Sequence, residues 1–108
     1  MLTENVINTG SIAATTAIAK QRFVNYVGGQ ATDGQAVLGV AGDDVVIGEQ
    51  TPVKTRGWIV VTAGAAVAVG ANVQSDAQGR AITLAAGQNA GRAMDAATAA
   101  GQLIRVDR

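Results

Sequence analysis

Gly57-Trp58-Ile59-Val60-Val61-Thr62 is the most apolar run in the chain and carries four β-branched residues in succession, Ile59 to Thr62. Branching at Cβ stiffens χ1 and suits a pleated, buried strand better than a helix. Just before it, Thr51-Pro52-Val53-Lys54-Thr55-Arg56 alternates polar and β-branched residues. Pro52 lacks an amide donor, which suits the start of a strand or an edge.

Similar short segments recur in both directions. Arg22-Phe23-Val24-Asn25-Tyr26-Val27 stops at Gly28-Gly29, with an imperfect alternation that implies cover on both faces. Ala36 to Ala41 is closed by Gly42-Asp43-Asp44, which is turn chemistry. Ala71-Asn72-Val73-Gln74-Ser75 and Arg80-Ala81-Ile82-Thr83-Leu84 flank Asp76-Ala77-Gln78-Gly79, and this reads as a hairpin. Gln102 to Val106 reads as a final strand. The 14 glycines punctuate the chain at intervals near ten residues or less. Short strands at that spacing predict an all-β fold, a small β-barrel or jelly-roll-like sandwich with at most one or two short helices. The helical candidates are Ala13 to Lys20 and Ala93 to Ala100, the latter ended by Gly101. At 108 residues the chain is one domain. Residues 1–12 read as an N-terminal arm or a first strand, and residues 13–108 as a single β-rich domain.

Composition narrows function. There is no His and no Cys, and the aromatics are Phe23, Tyr26 and Trp58 alone. The commonest metal ligands and the usual neutral-pH proton shuttle are therefore missing, and no cofactor or metal is expected. Eight Lys plus Arg balance eight Asp plus Glu, scattered without a basic run, which disfavours nucleic acid and anionic membrane surfaces as partners. The apolar stretch from Ile59 to Val69 is broken by Thr62 and Gly64 and is too short to span a bilayer. Met1 to Asn5 carries no basic stretch followed by an apolar one, so no secretory signal is read and a soluble protein is expected.

Local motifs give little chemistry. Asp43-Asp44 and Asp76 read as turns rather than cation sites, and no Gly-Lys pair supports a phosphate loop. A nucleophilic Ser11 or Ser75 would need Lys20 or Lys54 as base, and nothing in the neighbouring residues supports that pairing. Catalysis is not expected. Trp58 is a candidate interface anchor or partly buried core residue, with Arg56 on the same sheet face and able to cover its ring.

Three further stretches carry a family likeness: Ala19-Lys20-Gln21-Arg22-Phe23-Val24 leading to Ala36-Val37-Leu38-Gly39-Val40-Ala41; Val73-Gln74-Ser75-Asp76-Ala77-Gln78-Gly79-Arg80-Ala81; and Ala96-Ala97-Thr98-Ala99-Ala100-Gly101-Gln102-Leu103-Ile104-Arg105-Val106. In this order they resemble the tailed-phage capsid cement, or head decoration, family over nearly the whole chain. The resemblance implies a small barrel or jelly-roll-like domain that forms dimers or trimers. It implies a structural virion protein on the outer surface of the capsid, clamping neighbouring major capsid subunits after the head expands. Asp107-Arg108 depart from the apolar ending common in that family and predict a charged, exposed terminus. Leu2 to Ser11 is expected either to order on the capsid as an arm or to form the first strand. In the arm reading, deletion of Met1 to Asn8 leaves the fold intact. The interface candidates are Leu2, Thr3, Asn5, Val6, Arg56 and Trp58. The alternatives are a surface-adhesion module binding carbohydrate or cell surface, which the scarcity of aromatics disfavours, and a small carboxylate-pair hydrolase.

Overall fold

In the computed structural model, which describes residues 2–108, the chain forms eight strands and no helix among the described residues: β1 (Asn5–Ala13), β2 (Phe23–Val24), β3 (Gly39–Ala41), β4 (Gln50–Thr62), β5 (Asn72–Ser75), β6 (Ala81–Thr83), β7 (Gly91–Ala93) and β8 (Leu103–Asp107). The two segments that read separately on either side of Gly57 are one strand of 13 residues, β4. β4 is the spine. It pairs antiparallel with β1 from Gln50 to Trp58, with β3 at Val53 and Lys54, and with β8 from Trp58 to Thr62.

The strand order β2-β3-β4-β8-β7-β5-β6 curls back on itself, with β1 added against β4. A parallel bridge between Ala63 and Ala81, and the Gly64 N–H donated to the Ala81 carbonyl, join β6 to the end of β4. The result is a nearly closed antiparallel barrel, which removes most sheet edges. The β5–β6 hairpin forms as its residues predict. Asp76 Oδ1 accepts from the N–H groups of Gln78 and Arg80, and Oδ2 accepts from Arg80 Nε at 2.9 Å.

Period-two alternation along β4 sends Thr51, Val53, Ile59 and Val61 inward. They serve two cores. Ile59 and Val61 join Phe23, Val40, Val73, Ile104 and Val106 inside the barrel. Val53 joins Val24, Ala41, Ile18, Val45 and Ala14 in a smaller cluster at the other end of β4. Phe23 and Val24 are neighbours in β2 yet lie in different clusters, so both faces of that strand are covered. Each buried Val or Ile contributes roughly 1.5–3 kcal/mol over its exposed state.

Neither helical candidate is a helix. In the first, Ala13 ends β1, the Ala14 N–H goes to the Glu49 carbonyl, the Thr15 N–H to Gly28, and Ile18 bridges Val45. In the second, Ala93 ends β7, Met94 donates to the Arg105 carbonyl, and Ala97 exchanges both backbone bonds with Val67. Small alanines bury too little area to hold a helix face, so these backbone groups take distant partners instead. Asp95 completes the substitution: it accepts from the Arg105 backbone N–H, Nε and Nη2 at 2.9 to 3.0 Å.

Residues 5–13 of the N-terminal stretch are strand β1, and Val6 packs against the barrel core. Glu4 bonds both Lys54 Nζ and the Val60 N–H. Deletion of residues 2–8 would strip these core and ion-pair contacts, so it is expected to lower stability as well as any capsid binding.

Gly57 is where β1, β4 and β8 meet. Its φ is +115°, and a Cβ there would collide with the Asn5 carbonyl and the Ile7 nitrogen. Gly57→Ala is expected to destabilise the fold by about 3 kcal/mol, as strain plus overpacking. Gly10 has open space around it, and Gly10→Ala is expected to change stability by less than about 1 kcal/mol. Urea unfolding of both variants checks this; equal midpoints would contradict the junction role.

Candidate functional site

One row of cross-strand partners crosses the outside of the barrel: Asn5 on β1, Trp58 on β4, Asp107 on β8, Arg92 on β7 and Asn72 on β5. Residues directly opposite on neighbouring strands lie on the same face. Trp58 sits within this row and is 43% exposed. Ile7 on β1 is 77% exposed and Leu103 at the start of β8 is 44% exposed. Arg56, two residues before Trp58 on β4, is exposed as well, while Leu103 lies opposite Thr62 farther along the same strand. The face thus combines an aromatic and arginines, residue types enriched at protein interfaces, with exposed aliphatic side chains.

Two ion pairs frame it. Lys54 Nζ lies 2.7 Å from Glu4 Oε1, and Arg105 Nε lies 2.9 Å from Asp95 Oδ2. The Arg105 hydrogen bonds hold the Asp95 carboxyl below its ordinary pKa, and the same contact raises that of Arg105. Arg108 behaves differently from the exposed terminus that the sequence predicts. Asp107 is exposed, but Arg108 folds in and donates Nη2 to the carbonyls of Val37 and Leu38 at 3.0 and 3.4 Å. Burial lowers the Arg108 pKa and the nearby Arg56 charge adds to this, partly offset by Tyr26. Turning inward also lets the Arg108 backbone exchange both hydrogen bonds with Gly57.

Of the sequence-predicted residues, the structure brings Asn5, Arg56 and Trp58 together on or beside this face. Thr3 is exposed and Leu2 half-buried ahead of β1, while Val6 turns to the core. Sequence reasoning missed Ile7, Arg92 and Leu103. Arg92 was hidden because β7 is only three residues long and abuts a segment that reads as helical. Ile7 was legible in principle, as the residue whose side chain alternates with Val6. A second exposed apolar set, Val27, Val46 and Ile47, lies on loops of the smaller lobe.

Of the residues weighed for catalysis, Ser75 and Lys54 are engaged elsewhere. Ser75 Oγ donates to the Asp76 carbonyl, and Lys54 is paired with Glu4. Asp44 Oδ1 accepts the backbone N–H of Lys20, tying two loops distant in sequence. Among the described residues no cluster of three or more acidic side chains is placed to hold a metal.

The sequence model of a family described as phage cement protein matches residues 3–108. This chain belongs to the phage cement protein family. It is a structural, phage-head-associated protein of all-β, barrel-like fold. Among solved structures, it is similar to the head fiber gp8.5 N base of bacteriophage phi29, with a TM-score of 0.75 and 23% identity over 92% of this chain and 91% of that one. At that identity the likeness establishes the shared fold. A comparison with curated proteins finds no significant match.

The Asp95–Arg105 contact has a signed consequence. A carboxyl whose pKa is lowered in the folded state contributes stability above its unfolded value of about 3.9, and loses it as pH falls through the lower folded value. The difference in melting temperature between wild type and Asp95→Asn is expected to shrink across that acidic window. Melts from neutral to strongly acid pH check this, and a constant difference would contradict it.

Proposed function

We propose that this cement-family protein binds the outside of the expanded phage head as a homo-oligomer and ties neighbouring major capsid subunits together. It is made in the host cytoplasm and carried on the virion. The observation that carries the reading is the family match over residues 3–108. The geometry supports it through the exposed face around Trp58, which presents apolar and cationic side chains from β1, β4, β7 and β8 on a rigid barrel wall.

Cementing needs no catalysis. It needs a preorganised surface repeated many times. Each contact is modest, but copies that bridge two subunits raise the effective concentration of every other contact. Rigidity matters because a wall that is already ordered loses little entropy on docking. A net charge of zero keeps repulsion between crowded copies small. Trp58 is the natural anchor: large, half-exposed and fixed by strand pairing on both sides.

Co-sedimentation with expanded, undecorated heads, against unexpanded proheads, tests the proposal. Saturable binding to expanded heads at a fixed ratio to the major capsid protein is expected. Trp58→Ala is expected to weaken that binding at least about tenfold, the scale of an interface hot spot, with an unchanged far-UV spectrum. Absence of saturable binding to either particle would overturn the reading.

A further inference from the structure

β1 is the place where the barrel leaves an edge open. It pairs with β4 and, among the described residues, with no other strand, so one side of its backbone has no ladder. The strand is nine residues long, about 30 Å of edge at roughly 3.3 Å per residue. Asn5, Ile7 to Ser11 and Ala13 are exposed, and only Val6 and Ile12 are partly covered. Natural edges of this length carry lysines, prolines, inward charges or bulges that block pairing. Asn5-Val6-Ile7-Asn8-Thr9-Gly10-Ser11-Ile12-Ala13 has no charge and no proline. The register irregularities between Val6 and Thr9 lie in its pairing with β4, and Thr9 to Ala13 pair regularly.

We infer that the free edge of β1 pairs with β1 of a second copy of this chain, antiparallel, about a twofold axis at Thr9 normal to the sheet. Three observations favour a second copy over another strand. The edge is uncharged, so self-pairing sets no like charges opposite one another. A twofold at Thr9 matches the core-leaning positions: Val6 falls opposite Ile12, the two residues of the strand that already lean on cores, with Ile7 opposite Ser11 and Asn8 opposite Gly10. The chain as a whole is neutral, so two copies approach without net repulsion. The pairing makes one continuous sheet, β4-β1-β1-β4, with the barrel of each copy beside the smaller lobe of the other. It rests on the homo-oligomer of the proposed function and places its self-interface; it is tested on the free protein, so its failure leaves capsid binding, which co-sedimentation reads separately, standing.

The chain has no cysteine, so an introduced one reports cleanly. At a twofold axis the two Thr9 Cα atoms lie about 4.5 to 5.5 Å apart, inside the span of roughly 4.4–6.8 Å that a disulfide bridges. Under mild oxidation, Thr9→Cys is expected to form a covalent dimer at least about tenfold faster than Ala99→Cys on an exposed loop, because pairing raises the local concentration. Mixed Ile7→Cys and Ser11→Cys proteins are expected to cross-link to each other in preference to themselves. Sedimentation velocity is expected to show a concentration-dependent dimer for the wild type, and a monomer for Thr9→Lys with an unchanged far-UV spectrum. A monomeric wild type would overturn the inference and leave the edge to a capsid strand. Equal rates for Thr9→Cys and Ala99→Cys, or a trimer without cross-linking at Thr9, would overturn it as well.

Discussion

The backbone junction at Gly57 is the constraint on which the rest of the structure depends. Gly57 donates its N–H to the Arg108 carbonyl at 2.9 Å and accepts the Arg108 N–H at 3.1 Å, while Val6 of β1 lies opposite it. Three chain segments converge at one residue without a side chain. That convergence lets a single 13-residue strand serve the barrel at one end and the smaller lobe at the other. A terminated strand there would separate the two cores and release β8, the link between β4 and β7.

The loops are held by side-chain amides and carboxylates bonded to backbone, which is how the described residues, which form no helix, satisfy their polar groups. Asn25 Oδ1 accepts from the N–H groups of Val27 and Gly29, and Gln74 Oε1 accepts from those of Ala85 and Gly87. Asp76 and Asp95 do the same for the loops after β5 and β7. Small residues allow these close approaches. A Cβ at Gly39 would press on the Lys54 carbonyl, and one at Gly87 on Gln74 and Gly34. The Ala and Gly richness that makes the composition unusual is the packing requirement of short strands joined by tight, side-chain-braced loops.

Much of this was legible in the sequence where local chemistry decides. The β5–β6 hairpin followed from Asp76 and Gly79, the β8 strand from Leu103 to Val106, and the buried centre of β4 from its β-branched run. What escaped was decided by distant partners. Ala93 to Ala100 has local helix propensity, but the Asp95–Arg105 bond and the Ala97–Val67 exchange override it. Gly57 reads as a boundary until the strands around it show why a glycine is needed inside one. Trp58 and Arg56 were identifiable as surface candidates by residue type, whereas Arg92 required the β7–β8 pairing, which no short-range pattern encodes.

The proposed docking wall around Trp58 is consistent with the cement family's structural role, and the proposed self-pairing uses a different feature, the open edge of β1. A cryo-EM reconstruction of expanded heads saturated with this protein tests the capsid-binding face most directly. The face bearing Trp58, Ile7 and Leu103 is predicted to lie against the major capsid protein, spanning more than one subunit. Density that places this face toward solvent, with the capsid touched from another side, would contradict it.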